Sequence, residues 1–303
     1  MKRILEMTPS ELRNTRGRQL LESIQAAEGR TIVAEVVAPS PGFVRPLTNA
    51  EVAAAFGADL ILLNGYDSLQ PAIGGLPADG PDQSNPDDAV RVLKQLVGRP
   101  IGINLEPCPP GASISTGRQA SRQTVEAALR QGVDFVVLTG NPGTGVSNPL
   151  ILDAIRQCRE VAGDRLIVVA GKMHAAGVLS ESGRRMLTEE DVEAFVGAGA
   201  DVVLLPAPGT VPGFTVERVA ALVDAVHRRG ALVLAAIGTC QESSDPETVR
   251  EFGLAGKMAG ADVLHIGDCG YGGMAPPENI MALSIAVKGR LHTLRRMAMS
   301  ELR

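Results

Sequence analysis

Gly57-Ala58-Asp59-Leu60-Ile61-Leu62-Leu63-Asn64 is a glycine, a small residue and an aspartate running straight into an apolar stretch. The chain repeats this arrangement three more times: Gly132-Val133-Asp134 before FVVLTGN, Gly199-Ala200-Asp201 before VVLLPAPG, and Gly260-Ala261-Asp262 before VLHIGD. The glycines are 75, 67 and 61 residues apart. A further apolar run precedes each tripeptide: TIVAEVVAP from Thr31, PIGINLEP from Pro100, LIVVAGKM from Leu166 and ALVLAAIG from Ala231. The eight runs, evenly spaced, predict the strands of a (β/α)8 TIM barrel. They are nearly continuous apolar segments, as expected of parallel strands covered by helices.

The strand candidates span Thr31–Pro39, Asp59–Asn64, Ile101–Glu106, Phe135–Asn141, Leu166–Lys172, Val202–Pro206, Ala231–Gly238 and Val263–Asp268. Helical segments with one charged face, such as AVRVLKQLV and DAIRQCREVA, alternate with them. Thr8-Pro9-Ser10-Glu11 reads as a capping box opening one extra helix. That helix should end near Gly29 and pack across the bottom of the barrel. No composition shift divides the chain, so a single domain over 1–303 is expected, with 1–29 as an N-terminal extension. The polar stretch from Tyr66 to Pro86 is long enough for a functional or mobile loop.

Composition narrows the classes. With no Trp and 3% aromatic residues, the core must come from Val, Leu, Ile and Ala. The net charge of -5, with no basic patch interleaved with aromatics, argues against nucleic-acid binding. No stretch suits a signal peptide or a membrane span, and a cytoplasmic location is expected. Four cysteines without framework spacing predict free thiols.

In barrels of this kind chemistry sits at the C-terminal ends of the strands. The polar residues there are Glu35, Asn64, Asn104, Glu106, Thr139, Asn141, Lys172, His174, Thr210, Thr239, Gln241, His265, Asp268 and Tyr271. Such groups in apolar strands are costly to bury unless paired, which points to a ligand site. Some could instead tie strands together. Gly267, Gly270 and Gly272, with the helix start at Pro276-Pro277, could seat a phosphate or carboxylate, although Asp268 would repel it. Gly143-Thr144-Gly145 is a second candidate seat. Lys172 could hold an anion, form a Schiff base, or pair with Glu106 or Asp268. His174, His265, Glu35, Glu106 and Asp268 could bind a divalent metal, Mg or Zn, though no short-spaced ligand motif is present. Cys108, Cys240 and Cys269 also follow strands and read as small thiols rather than nucleophiles. His227 and His292 fall on helices and read as surface residues.

The segments TGNPGTGV (139–146), GKMHAAG (171–177), PAPGTVPG (206–213) and IGDCGYGGMAPPENI (266–280) resemble an uncharacterised bacterial family of such barrels, over almost the whole chain. Some members carry a haloacid-dehalogenase-like label. That chemistry needs a nucleophilic Asp in an Asp-x-Asp pattern after the first strand, and this chain contains no Asp-x-Asp. The resemblance implies the fold and the site location and leaves the reaction open.

The leading expectation is a lyase or isomerase acting on a small anionic metabolite, phosphorylated or an oxo acid. Lys172, Glu106, His174, His265 and Asp268 would be catalytic. Glu35, Asn64, Asn104, Thr139, Asn141, Thr239, Gln241, Gly267, Gly270, Tyr271 and Gly272 would bind substrate. A metal-dependent hydrolase or lyase and a non-catalytic metabolite sensor are the alternatives. A homo-oligomer, aided by the final helix, is expected.

Overall fold

The computed structural model describes residues 2–77 and 86–303. Eight parallel strands close into a barrel in chain order. They are β1 (Thr31–Val37), β2 (Leu60–Asn64), β3 (Ile101–Leu105), β4 (Phe135–Leu138), β5 (Ile167–Gly171), β6 (Val202–Pro206), β7 (Leu232–Ile237) and β8 (Val263–Ile266). The ring closes where β1 pairs with β8, Val33 opposite His265. Several apolar runs overshoot their strands, because the strand ends turn into loops that carry the polar groups.

Two helices precede β1: α1 (Pro9–Asn14) and α2 (Gly17–Gln25). The remainder cover the barrel: α3 (Asn49–Ala55), α4 (Ala89–Val97), α5 (Arg122–Gln131), α6 (Asn148–Ala162), α7 (Glu189–Ala198), α8 (Val216–Arg228), α9 (Pro246–Met258) and α10 (Pro277–Ala298). The single N-terminal helix expected from the sequence is thus two. The capping box at Thr8 and Glu11 forms, but the chain becomes extended at Thr15 and Arg16 before restarting. Gly17, at φ +50, permits the break, and a side chain there would collide with the Asp164 carbonyl.

The extension does plug the bottom. Ile4, Leu5, Leu12, Leu20 and Ile24 pack into one apolar cluster with the inward-facing Val33, Leu60, Leu62, Phe135, Val137, Ile167, Val169, Leu204 and Leu234. Phe135 fills the space left by Gly102, where a Cβ would lie 2.1 Å from the ring. A second, larger cluster joins the outward faces of the strands to the helices.

The tripeptide repeat has a structural cause at this same end. Each of its glycines has a left-handed backbone. Each aspartate brackets one residue at the start of the preceding strand, donating its N–H to that residue's carbonyl and accepting that residue's own N–H on its carboxylate. Asp59 accepts from Ile32, Asp134 from Ile101, Asp201 from Val168 and Asp262 from Val233, at 2.8–2.9 Å. A basic side chain on a covering helix pairs with each carboxylate. Lys94 on α4 pairs with Asp134, Arg159 on α6 with Asp201, and His227 on α8 with Asp262. For Asp59 the short α3 supplies none, and Lys288 and Arg296 of α10 take its place. His227 lies at the surface of its helix, as expected, and also serves as a clamp. The repeat lies at the stability face of the barrel and carries no site chemistry.

Of the loop from Tyr66 to Pro86, residues 78–85 lie outside the described part. Its start is well packed: Tyr66 is buried and donates its hydroxyl to Gln131 at 3.0 Å. Among the described residues no helix is long and apolar enough to cross a membrane.

Candidate active site

Strand parity decides what reaches the barrel interior. Inward positions alternate, so the apolar residues at the bottom of each strand lead to Glu35 on β1, Asn64 on β2, Asn104 on β3, Thr139 just past β4 and His265 on β8. A cavity of about 180 Å³ opens above them, lined by Glu35, Asn64, Asn104, Glu106, Arg118, Thr139, Gly140, Asn141, Met173 and His174.

Its floor is a buried polar trio. Glu35 accepts a hydrogen bond from Asn104 Nδ2 at 2.5 Å on Oε1, and His265 Nε2 lies 3.1 Å from its Oε2. Glu35 is 4% exposed and His265 1%. Among the described residues neither imidazole nitrogen completes an aligned hydrogen bond, and Asn104 Oδ1 has no partner. Burying polar atoms without a hydrogen-bond partner is costly, which sets this trio apart from the aliphatic layer below.

The rim is built by the chain after β3. Glu106 donates its N–H to none of the strands but to the Arg118 carbonyl at 2.8 Å, which lays residues 116–120 along the strand end. The Arg118 guanidinium then donates to Glu106 Oε1 at 2.8 Å while facing the cavity. Gly140 lets Glu106 come close, since a Cβ there would sit 3.2 Å from Oε2. His174, after β5, also lines the cavity, and burial holds its imidazole below the usual value, favouring the neutral form. Asp268 is buried beside the floor and accepts from Asn64 Nδ2 at 2.6 Å.

Other expected residues are placed elsewhere. Lys172 does not line the cavity. It follows the inward Gly171, so its side chain takes the opposite face, where it is buried and bonded to Glu181 rather than to Glu106 or Asp268. Thr239 and Gln241 bond each other in the turn after β7, outside the cavity lining. Thr210 is buried and turns its hydroxyl to the Ala207 carbonyl. Tyr271 lies in the turn Gly270–Gly272, and its side chain falls outside the described part.

The glycine turn after β8 also differs from the anion seat expected of it. The Cys269 N–H donates to Glu242 Oε1 at 3.1 Å, and the Gly270 N–H to Asp268 Oδ1 at 2.8 Å. The Gly267 and Gly272 N–H groups go to backbone carbonyls. In the second candidate seat, the Gly143 N–H is taken by Asn141 Oδ1 at 2.7 Å.

The thiols behave as small side chains. All four cysteines are free. Burial pushes Cys269 up to about 12, with Glu242 and Asp268 adding to the effect, and also raises Cys108. A divalent metal needs several ligands converging on one point. Among the described residues no three His, Cys, Asp or Glu side chains are so placed. One oxygen of Glu35 is engaged by Asn104 and one of Glu106 by Arg118.

Three functional candidates went unseen in the sequence: Arg118, Met173 and Glu242. Arg118 sits one residue past a loop of Gly, Pro and Ser and has no local signature. Met173 reaches across the mouth to Gly238, 2.9 Å from where a Cβ would be. Glu242 is 4% exposed although it lies in a polar loop, and no local pattern foretells that.

Fold and cavity together define a (β/α)8 barrel with a polar pocket at the C-terminal ends of its strands. The chain belongs to the family described as Domain of unknown function (DUF7916), whose model matches residues 5–303. No curated protein matches the sequence. Among solved structures it is similar to an archaeal fructose 1,6-bisphosphate aldolase, at 15% identity and a TM-score of 0.56, covering 88% of this chain and 96% of that one. It is also similar to 2,3-dimethylmalate lyase, a PEP mutase/isocitrate lyase superfamily member, at 18% identity and 0.50, covering 86% and 81%. A third is thiamine phosphate pyrophosphorylase from Pyrococcus furiosus, at 15% identity and 0.50, covering 87% and 98%. At these identities the likeness shows the fold alone.

Proposed function

We propose that the chain is a metabolic enzyme of lyase or isomerase type, moving a proton at a carbon next to a carbonyl of a small anionic metabolite. The observation that carries this reading is the Glu35–His265–Asn104 trio at the cavity floor. A barrel interior needs only aliphatic side chains there, as it has one layer below. A carboxylate with an imidazole behind it, facing an open cavity, is suited to general acid–base work.

In this reading Glu35 takes the proton, His265 tunes and orients it, and Asn104 fixes its carboxylate plane. Glu106 and the neutral His174 serve the leaving or returning group at the rim. Arg118 holds the substrate's charge, and Asn64, Thr139 and Asn141 orient its oxygens. Lys172 has no role in this chemistry, since it is spent on Glu181. Two of the similar barrels are by name an aldolase and a lyase, in keeping with this class.

The test is hydrogen exchange. The protein is incubated in D2O with a panel of 2-oxo and hydroxy acids, and loss of the C–H signal is followed by NMR. Exchange with at least one compound, abolished by Glu35→Gln, is the expected result. Ligands that raise Tm while none exchanges would favour the sensor alternative instead.

A further inference from the structure

We infer that the substrate is an unphosphorylated hydroxy- or oxo-carboxylate, bound through Arg118, because the chain's own acids fill the anion seats that this fold provides. The inference rests on the acid–base reading of the same cavity and narrows its substrate.

A phosphate in such barrels commonly sits on the loops after the seventh and eighth strands, held by backbone N–H groups and a helix N-terminus. In this chain the Glu242 side chain occupies that place. Its Oε1 accepts the Cys269 N–H, and its carboxylate packs against Gly267, 3.3 Å from where a Cβ would stand. It is held there by its own turn, since Asn279 Nδ2 donates to the carbonyls of Glu242 and Ser244 at 2.9 and 2.7 Å. Among the described residues Glu242 Oε2 is buried without a partner. Asp268 takes the next N–H.

Two N–H donors are missing from the helix start as well. Helix α10 opens with Pro276 as its cap and Pro277 as its first residue, and neither has an N–H to offer. Any phosphate entering would face two carboxylates and find these donors used. The opposite wall is different. Arg118 is the one permanent cation among the described residues lining the cavity, and only one of its terminal nitrogens is bonded to Glu106. A planar carboxylate matches such a guanidinium. A single guanidinium shared with Glu106 suits a single negative charge better than a dianionic phosphate. The cavity of about 180 Å³ limits the ligand to a small molecule.

The experiment compares matched ligands by calorimetry on the intact wild-type protein: glycerate against 2-phosphoglycerate, pyruvate against phosphoenolpyruvate, and inorganic phosphate alone. The unphosphorylated member should bind at least tenfold more tightly in each pair, and Arg118→Met should remove that binding. Glu242→Ala, which empties the seat and frees the Cys269 N–H, should raise the affinity for inorganic phosphate at least tenfold. Equal or tighter binding of the phosphorylated members by the wild-type protein overturns the inference whether or not the variant folds. So does binding of neither member of any pair. Carboxylate binding without C–H exchange would leave this inference standing and remove the acid–base reading.

Discussion

Glu35 and His265 mark the sharpest division between residues that hold the barrel and residues that leave it unsatisfied. Replacing Glu35 by Gln keeps its shape and its bond to Asn104 while removing the base. Activity should fall by about 10²- to 10⁴-fold, the usual worth of a general acid or base. The denaturation midpoint should shift little, because the variant buries one charge fewer. Turnover of the NMR-identified substrate, beside a urea melt, measures both. A loss of stability with activity intact would make the trio structural. His174 needs no partner to do its part: desolvation alone keeps it neutral at the rim.

The four aspartate clamps make a graded series at the level of strands and helices. Asp59 and Asp134 are fully buried, with buried cations, whereas Asp201 and Asp262 pair with partners increasingly open to water. Breaking a buried pair leaves a charge uncompensated. Asp59→Asn and Asp134→Asn should therefore cost about 3–5 kcal/mol each. Asp262→Asn should cost about 1 kcal/mol or less, because His227 is well exposed and its pair is screened. Chemical denaturation of the four variants orders them, and equal costs would contradict the argument. The β7–β8 clamp is also the one built on an imidazole. The hydrogen bond to Asp262 raises the His227 pKa above its ordinary value. Its contribution is thus full below about pH 6.5 and lost as pH rises through the folded-state value. In His227→Asn the slope of stability against pH in that window should flatten, by about 0.5 kcal/mol in total after screening.

At the scale of the whole molecule, the two chain ends lock the barrel floor together. Arg296 donates to Asp59 at 2.8 Å and to the Ile4 and Met7 carbonyls at 2.6 and 3.1 Å. The Ser10 N–H donates to the Arg303 carbonyl at 2.9 Å. One guanidinium therefore joins α10, β2 and the N-terminal plug. Arg296→Met should cost about 1–3 kcal/mol, because it leaves two buried carbonyls without their donor while Lys288 still pairs with Asp59. It should also free the first residues to protease before the barrel unfolds. A time course of limited proteolysis under native conditions would show it, and protection equal to the wild type would count against the lock.

The order and number of the strands were written in eight apolar runs and four glycine–aspartate starts, because burial on both faces of a parallel sheet demands continuous apolar residues. The positions of Glu35, Asn64, Asn104 and His265 at the mouth were legible in the same way. Period-two alternation also separates inward Gly171 from Lys172, a signal present in the sequence that the mere position of Lys172 near a strand end obscured. What only tertiary structure decided is which distant groups meet. Glu181 claims Lys172, Glu242 fills the glycine turn, Arg118 is brought over the cavity, and α10 replaces the cation that α3 lacks. Local sequence records a residue's own helix or strand, whereas pairing across loops depends on where closure of the ring brings each loop, and no short-range pattern encodes that distance.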